Sequence, residues 1–357
     1  EVSWNGFGSA YYGQALSSDY RPYGLTDNHV NFTTFSNMGL NVGAKINDDL
    51  AFAAQLVALG SPVGSTDKFG LIAQWAYVNY TPSQVQGLSI RGGRQLAPIM
   101  MASEYVRVGY LLPYRQIPAV VYNLAPITRF DGVGVYQTVN AGIGRLTLGV
   151  FGGSPALDTV SQTTYSFGLS DLLGAVATLD GDGWRVRAQA SRMYNKFNLV
   201  TSPSTSLNWD GHSQIYSAGA RYDKHNVVFW GEYLMTRAPD GTPVSPISVA
   251  TAGNNGRYVG SSHGYYLMGG YRLGNFLPRY TFAQGSNNYN LPVAAYNGKV
   301  TSHTVGLNYT AGQAVLKAEF EHDSSPAAQG AGYLATTPAG STATSGNAFF
   351  AGVDFIF

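Results

Sequence analysis

Seven charged residues lie in or beside one long segment, residues 95–131, that also contains many apolar and aromatic residues. They are Arg91, Arg94, Glu104, Arg107, Arg115, Arg129 and Asp131. Arginines outnumber carboxylates in this set, and excess positive charge beside a narrow aqueous passage attracts anions. If the fold brings these side chains together, we expect a constriction with a mild preference for anions. The alternative for any one arginine is an ion pair that only anchors the segment.

A second set of basic residues is spread along the chain, and each member lies within a few residues of a tight turn. The set is Lys45, Arg145, Arg185, Arg187, Arg221, Arg272 and Lys317. The turns contain Gly, Asn or Asp, which tolerate turn dihedral angles. Gathered at one end of a fold, these side chains would form a basic ring at the mouth of the passage. The alternative is charge that only solvates that end.

Residue types used in catalysis or metal binding are present, but they are not arranged for either role. The chain has no cysteine, which excludes disulfides and thiolate metal sites, and its six histidines are scattered. Residues 261–263 (Ser-Ser-His) and 322–324 (His-Asp-Ser) are adjacent in sequence, but neighbours in an extended chain point apart. A net charge of +1 gives no reason to expect nucleic-acid binding. We therefore predict no enzyme activity, no metal, no cofactor and no nucleic-acid partner.

The composition indicates an exterior that does not face water. Charged residues make up 11% of the chain, less than half of the roughly 25% typical of soluble domains. A membrane-spanning helix needs about 20 apolar residues in a row, and the longest apolar stretch, residues 50–59, is about half that length. Strands can span with alternating segments of about ten residues, because a closed barrel pairs every backbone group.

Alternation of apolar and polar residues recurs along the whole chain. Trp184 and Val186, for example, alternate with Arg185 and Arg187. A charge facing hydrocarbon costs about 2–4 kcal/mol at mid-bilayer, so we assign the apolar face to lipid and the charged face to the interior. About seven short turns and eight long segments predict one all-β domain, residues 1–357, folded as a transmembrane antiparallel β-barrel of about 16 strands.

One stretch departs from the alternation. Residues 50–58 are apolar on both faces except for one glutamine, and their small alanines allow close packing. Such a stretch suits contact with a neighbouring subunit outside the barrel or with a folded-in loop inside it.

Two local motifs add to this layout. The sequence Ser-Ile-Arg-Gly-Gly-Arg-Gln at residues 89–95 resembles the porin stretch in which Gly-Arg-Gln or Gly-Arg-Asn ends the fifth strand. Residues 352–357 carry Gly-x-x-Phe-x-Phe, which resembles the C-terminal signal read by the bacterial outer-membrane assembly machinery. Together with the strand layout, these motifs resemble the sixteen-stranded general porins of Gram-negative bacteria. The acidic Pro-Glu-Phe-Gly-Gly type of motif of that family is missing, and residues 112–118 stand in its place, which indicates a divergent branch.

The resemblance implies that the third long loop, residues 95–131, folds into the barrel and narrows it. It implies localisation in the bacterial outer membrane, contact with lipid and lipopolysaccharide, and assembly as a homotrimer. It also implies a water-filled channel for passive diffusion of small hydrophilic solutes, with no cofactor.

Three other functions are compatible with the sequence. The first is a substrate-selective channel for carboxylates, phosphate or sugars. Tyr105, Tyr110, Tyr114 and Tyr122 could then stack on sugar rings instead of packing the loop. The second is a barrel enzyme or adhesin with a plugged lumen, and the third is a soluble all-β protein that needs no detergent.

Overall fold

The chain folds, in the computed structural model, as a closed antiparallel β-barrel with sixteen wall strands in its described part. The structure describes residues 1–19, 21–23, 25, 27, 29–60, 69–125, 127–156, 165–202, 205–238, 260–289, 299–325, 335–336 and 343–357. The wall strands, β1 to β16 in chain order, are Val2–Ala15, Asn37–Lys45, Leu50–Gly60, Phe69–Tyr80, Leu88–Leu96, Arg129–Asn140, Arg145–Ala156, Tyr165–Gly181, Trp184–Ser202, Thr205–Lys224, Val227–Ala238, Gly260–Tyr271, Phe276–Tyr289, Lys299–Ala311, Ala314–Ser324 and Ser345–Ile356. The two-residue strands Arg21–Pro22 and Ala335–Thr336 pair with each other in a separate small sheet.

Each wall strand pairs with its neighbours in sequence, and β1 pairs with β16 to close the ring. The closing register runs from Phe7 opposite Ile356 to Ala15 opposite Ala348. Closure leaves the sheet with no free edge, which is what a strand structure in hydrocarbon requires. The predicted fold class and strand number are confirmed. Within the described residues, no helix is long and apolar enough to cross a membrane.

The two faces of the wall differ as the alternation predicts. In β9, Val186 is 47% exposed and the next residue, Arg187, is 6% exposed. Leu316 and Lys317 of β15 show the same contrast, at 49% and 2%. Because successive side chains of a strand point to opposite faces, the apolar side chains face outward and the charged ones face inward. Residues 50–58 fall in β3, where Leu56 is exposed on the outer face.

The main apolar core lies against the inner wall of the barrel. Residues 97–125, named here the inner segment, follow β5 and contain two 3-10 turns, Ser103–Tyr105 and Gly109–Leu111, and one short helix, α1 (Ala119–Tyr122). The wall contributes to this core Phe130, Phe151, Leu172, Val176, Met193, Ile215, Val228, Trp230, Leu234, Tyr266, Met268, Leu277, Ala283 and Val300. The alternation leads one to expect polar side chains on the inner face. The wall is apolar here because the inner segment, rather than water, covers it.

Candidate functional site in the barrel lumen

The inner segment begins where β5 leaves the sheet. β5 pairs with β4 only between residues 90–94 and 76–80, although β4 has 12 residues. Gly93 lies in this region with φ of +130°, and a Cβ there would come within 2.6 Å of the carbonyl oxygen of Ala76. Only glycine adopts this conformation readily, so the Gly-Gly-Arg-Gln sequence helps to direct the chain away from the wall.

Lys317 of β15 holds the middle of the inner segment. Its Nζ donates hydrogen bonds to the carbonyl oxygens of Gly109, Leu112 and Tyr114, each at 2.8 Å. The same Nζ lies 2.7 Å from Oδ2 of Asp354, and both side chains are fully buried. Lys317 was predicted to belong to the basic ring at the mouth, but the structure places it beneath the inner segment with its charge balanced.

Arg115 is an anchor of the inner segment. Its Nε lies 3.3 Å from Glu319, its Nη2 lies 3.3 Å from Glu321, and its guanidinium stacks 3.6 Å from the ring centre of Phe350. Arg279 of β13 also contacts Glu319. Burial alone would lower the pKa of Arg115, but the neighbouring acidic groups, Glu319 foremost, together outweigh burial and raise that pKa, so the side chain is always charged.

Glu232 of β11 holds both ends of the inner segment, through Met101 near its start and Tyr122 near its end. It accepts hydrogen bonds from the backbone N–H of Met101 at 2.6 Å and from the hydroxyl groups of Tyr122 at 2.7 Å and Tyr266 at 2.5 Å. Burial and the neighbouring carboxylate both raise the pKa of Tyr122, so its hydroxyl stays protonated and donates.

Glu104 of the inner segment is partly exposed and is paired with the wall. Nη2 of Arg187 lies 2.5 Å from Glu104, and Nη1 of the same arginine donates to the carbonyl oxygen of Met100 at 3.0 Å. Burial favours the neutral acid, but the nearby arginines, Arg187 foremost, together outweigh burial and hold the pKa of Glu104 below its usual 4.5. Arg187 was predicted at the mouth, but it contacts the inner segment and balances the charge of Glu104.

Arg94 and Asp131 form a bidentate ion pair with N–O distances of 2.8 and 2.9 Å. They lie opposite each other in the β5–β6 ladder, and each alternates with inward residues such as Phe130. By register they therefore belong to the outer face, beside the part of β4 that β5 does not cover. Arg129 shares this parity and is buried. The structure does not bring these three residues to the inner face as predicted.

Two of the predicted constriction arginines have no acid partner among the described residues. Arg91 faces inward and lies between the rings of Tyr77 and Tyr136, at 5.4 and 4.9 Å from their centres. Arg107 lies on the inner segment, is partly buried, and burial lowers its pKa with no carboxylate opposing the shift. Arg91 does attract the carboxylate of Glu104, from beyond ion-pair distance.

Most of the remaining basic residues near the turns carry local partners. Lys45 pairs with Asp48 at 2.8 Å, Arg185 with Asp180 at 2.5 Å, and Arg272 with Asp223 at 2.6 Å. A separate contact joins Arg221 to the hydroxyl of Tyr105 at 3.2 Å. Arg145 is exposed at the turn before β7. The set lies at or near the turn end as predicted, whereas its effect on ions stays a prediction.

The tyrosines considered for sugar stacking pack the inner segment or bond the wall instead. Tyr114 is buried against the rings of Trp230 and Tyr266, with centroid distances of 5.8 and 5.9 Å. Tyr110 donates to the carbonyl oxygen of Gly312 at 3.1 Å. Trp75 and Tyr77 are partly exposed on the inner wall, and their rings lie 5.5 Å apart.

Sequence reasoning missed a row of amide side chains on the wall. Nδ2 of Asn41 donates to Asn5 at 2.6 Å, and Nε2 of Gln55 donates to Asn41 at 2.8 Å. The row crosses β1, β2 and β3 and continues to Trp75 of β4 in the strand register. A search for polar residues of equal parity on adjacent strands would have found it, but our reading followed charge alone. This wall is neutral and hydrogen-bonding.

A cavity of about 610 Å³ lies between the inner segment and strands β2 to β4. Its lining includes Asn37, Leu59 and Ile72 from the wall and Arg107 and Ile127 from beyond β5. Among the described residues, no three His, Asp or Glu side chains are grouped as a metal site would require. The lining combines apolar side chains with amide and hydroxyl groups and the guanidinium groups of Arg107 and Arg115.

No protein-family model and no curated protein matches the sequence. Solved structures do match the fold over the whole chain. The outer membrane channel DcaP of Acinetobacter baumannii aligns with a TM-score of 0.68 and 13% identity, covering 100% of this chain and 97% of that one. An anion-selective porin from Comamonas acidovorans gives 0.63 and 15%, covering 100% and 99%. The trimer form of OmpT, an outer membrane protein of Vibrio cholerae, gives 0.62 and 14%, covering 100% and 99%. The chain thus has the fold of the Gram-negative outer-membrane porins.

Proposed function

We propose that the protein is an outer-membrane channel of the porin type that lets small hydrophilic solutes diffuse passively. The observation that supports this is the contrast between the two halves of the inner wall. Strands β6 to β15 contribute many inward residues to the core beneath the inner segment, whereas β1 to β4 carry the amide row and the Trp75–Tyr77 pair. A water-filled path then runs along the neutral wall and is narrowed by the inner segment.

The same proposal gives the channel a mild preference for anions. Arg91 and Arg107 have no described acid partner, whereas Glu104 is offset by Arg187. The field at the constriction is therefore positive, and positive charge raises the local concentration of anions. The name of the Comamonas porin records such selectivity for a protein of the same fold.

Recordings from the purified protein in planar bilayers test both statements. We expect stepwise conductance that rises with salt concentration and a reversal potential of anion-selective sign in a potassium chloride gradient. The Arg91→Gln variant should shift that potential toward zero, because it removes one unpaired inward charge. Arg272→Gln, which removes an arginine already paired with Asp223, is the matched control and should leave it nearly unchanged.

Three outcomes would contradict the proposal. Absence of conductance from folded protein would favour an enzyme or adhesin with a plugged lumen. Clear cation selectivity would contradict the anion preference but would be compatible with the channel function. Stability of the protein in buffer without detergent would remove the membrane location. In the outer membrane we propose that the barrel contacts lipid and lipopolysaccharide and assembles as a homotrimer.

A further inference from the structure

The cavity beside the inner segment has the volume of a small-molecule site. Its size of about 610 Å³ falls within the roughly 300–1,000 Å³ typical of such pockets. Most of its walls are apolar, with contributions from Phe35, Leu59, Ile72, Ile99, Met100, Val106, Ile117 and Ile127. A wall of this kind gains free energy by burying a hydrocarbon or aromatic group. It gives no such gain to a small, fully hydrated ion.

Arg107 supplies the unpaired charge of the cavity. Its Nε is buried and has no hydrogen-bond partner, and no described carboxylate pairs with it. The other arginine of the lining, Arg115, is bound to two carboxylates and is electrically balanced. A partly buried guanidinium without an acceptor is costly, and an anion entering the cavity would relieve that cost with a charge-assisted hydrogen bond.

We propose that this cavity binds solutes with one carboxylate and an apolar body, such as aromatic or branched-chain monocarboxylates. Arg107 takes the carboxylate, and the isoleucines at positions 72, 117 and 127 contact the apolar body. Ser103, Gln116 and Asn123 lie in the same lining and offer neutral hydrogen-bonding groups. The inference rests on the proposed channel function and assigns it a preferred class of solute.

Four probes separate charge from shape. Benzoate carries both features, benzyl alcohol lacks the charge, acetate lacks the ring, and phthalate carries a second carboxylate. Isothermal titration of the detergent-solubilised protein should show saturable binding of benzoate that is at least about tenfold tighter than binding of the other three. In bilayers, benzoate should block the potassium chloride current in a concentration-dependent way, and acetate should not. Equal affinity for benzoate and acetate, or for benzoate and benzyl alcohol, would overturn the proposal, and a tighter phthalate complex would contradict the single-charge assignment.

Two variants test the assigned residues separately. Arg107→Gln should weaken benzoate about tenfold or more and leave benzyl alcohol unchanged. Ile72→Ala should weaken benzoate and benzyl alcohol together, because it removes apolar contact from both. Arg145→Gln, an exposed arginine at the turn end, is the control and should bind benzoate as the unaltered protein does. Unchanged benzoate binding by Arg107→Gln would overturn the assignment, and retained heat-modifiable mobility on gels verifies that each variant is folded.

The two proposals fail in different ways. A protein that conducts potassium chloride but does not bind benzoate retains the channel function and loses the monocarboxylate site. A protein that binds benzoate but never conducts loses the channel function, and the cavity is then a binding site in a closed barrel.

Discussion

The charged side chains inside the barrel mainly anchor the inner segment to the wall. Lys317 and Asp354 are fully enclosed, and the lysine also binds three carbonyl oxygens of the inner segment. Taking charges out of water is unfavourable, and only a full set of partners offsets it. Each such pair therefore makes the position of the inner segment depend on a few atoms of the wall.

Replacing Lys317 with methionine tests this dependence. The change leaves three carbonyl oxygens and the Asp354 carboxylate without their shared donor, and breaking a buried pair in this way costs about 3–5 kcal/mol. We expect a lower free energy of unfolding in urea titrations of the detergent-solubilised barrel. Lys45→Met removes an exposed lysine paired with Asp48 and should have no measurable effect. Equal stability of the two variants would contradict the role of Lys317 as an anchor of the inner segment.

Acid pH tests the Glu104–Arg187 pair. The pKa of Glu104 in the folded protein lies below its usual 4.5. The stabilisation that Glu104 provides is therefore complete above about pH 4.5, its usual pKa, and is lost as the pH falls through its lower pKa in the folded protein. Hydrogen exchange of the amides of Ser103–Tyr105, corrected for intrinsic rates, should show constant protection from pH 7 to pH 5 and a decline only in stronger acid. Glu104→Gln should lack this acid-dependent decline, and a decline near neutral pH would contradict the assignment.

Residue types and strand parity could be predicted, but partners could not. The alternation in β9 placed Arg187 on the inner face correctly, while nothing in the sequence showed that Glu104, in another element, would reach it. Arg94 was predicted at the constriction, whereas its register opposite Asp131 places it on the outer face. Pairing depends on the path of the inner segment, which local sequence does not specify.

In the proposed channel, the inner segment is the element that narrows the barrel. Its short 3-10 turn Gly109–Leu111 packs against β1 and β16, where close approach needs a residue without a side chain. A Cβ at Gly109 would lie 2.1 Å from Oδ1 of Asp354 and 2.9 Å from Oγ of Ser9. The turn therefore fits only because position 109 is glycine.

Gly109→Ala should displace this turn. The added methyl group cannot share space with Asp354, so the segment must move away from Lys317. We expect a changed single-channel conductance, increased open-channel noise and a lower unfolding midpoint. Gly92→Ala, where a Cβ would meet no atom within 4 Å, is the control and should keep the original conductance. Identical traces from both variants would contradict the tight packing of the turn.

Element types followed from residue patterns to different degrees. Period-two alternation predicted the wall strands, and the aromatic content of residues 95–131 predicted that this segment needs burial. The apolar inner face at Met193, Ile215 and Met268 did not follow, because alternation alone assigns inward positions to water. The short turns and α1 have too few residues to leave a periodic signal.

At the scale of the whole molecule, β3 offers the surface for the proposed homotrimer. Its outer face carries Leu56 beside small alanines, which permit close approach of a second copy. We expect Leu56→Arg to convert the trimer to monomers in mild detergent, as measured by native mass spectrometry. Val186→Arg, on the outer face of β9 across the barrel, should leave the trimer intact. A trimer that survives Leu56→Arg would place the interface elsewhere.

The sixteen-strand ring was the part of the fold that the sequence predicted best. Alternation and flanking turn residues recur from strand to strand, so an error at a single position does not change the predicted number of strands. Features that occur once, such as the amide row of Asn5, Asn41 and Gln55 or the cavity of Arg107, need the three-dimensional arrangement. A feature that many strands repeat can therefore be predicted from the sequence, whereas a group of residues that occurs once cannot.

The seam between β1 and β16 has a consequence for biogenesis. It joins residues as distant as Ser9 and Asp354, which are 345 positions apart and are linked by a hydrogen bond. Contacts between residues so far apart in sequence form slowly, because the chain loses conformational entropy in closing the loop before the contact itself stabilises the structure. A growing chain cannot complete the circle before its last strand has emerged from the ribosome. Until then the amide groups on that edge of β1 have no strand partner, and an open strand edge of this kind promotes aggregation.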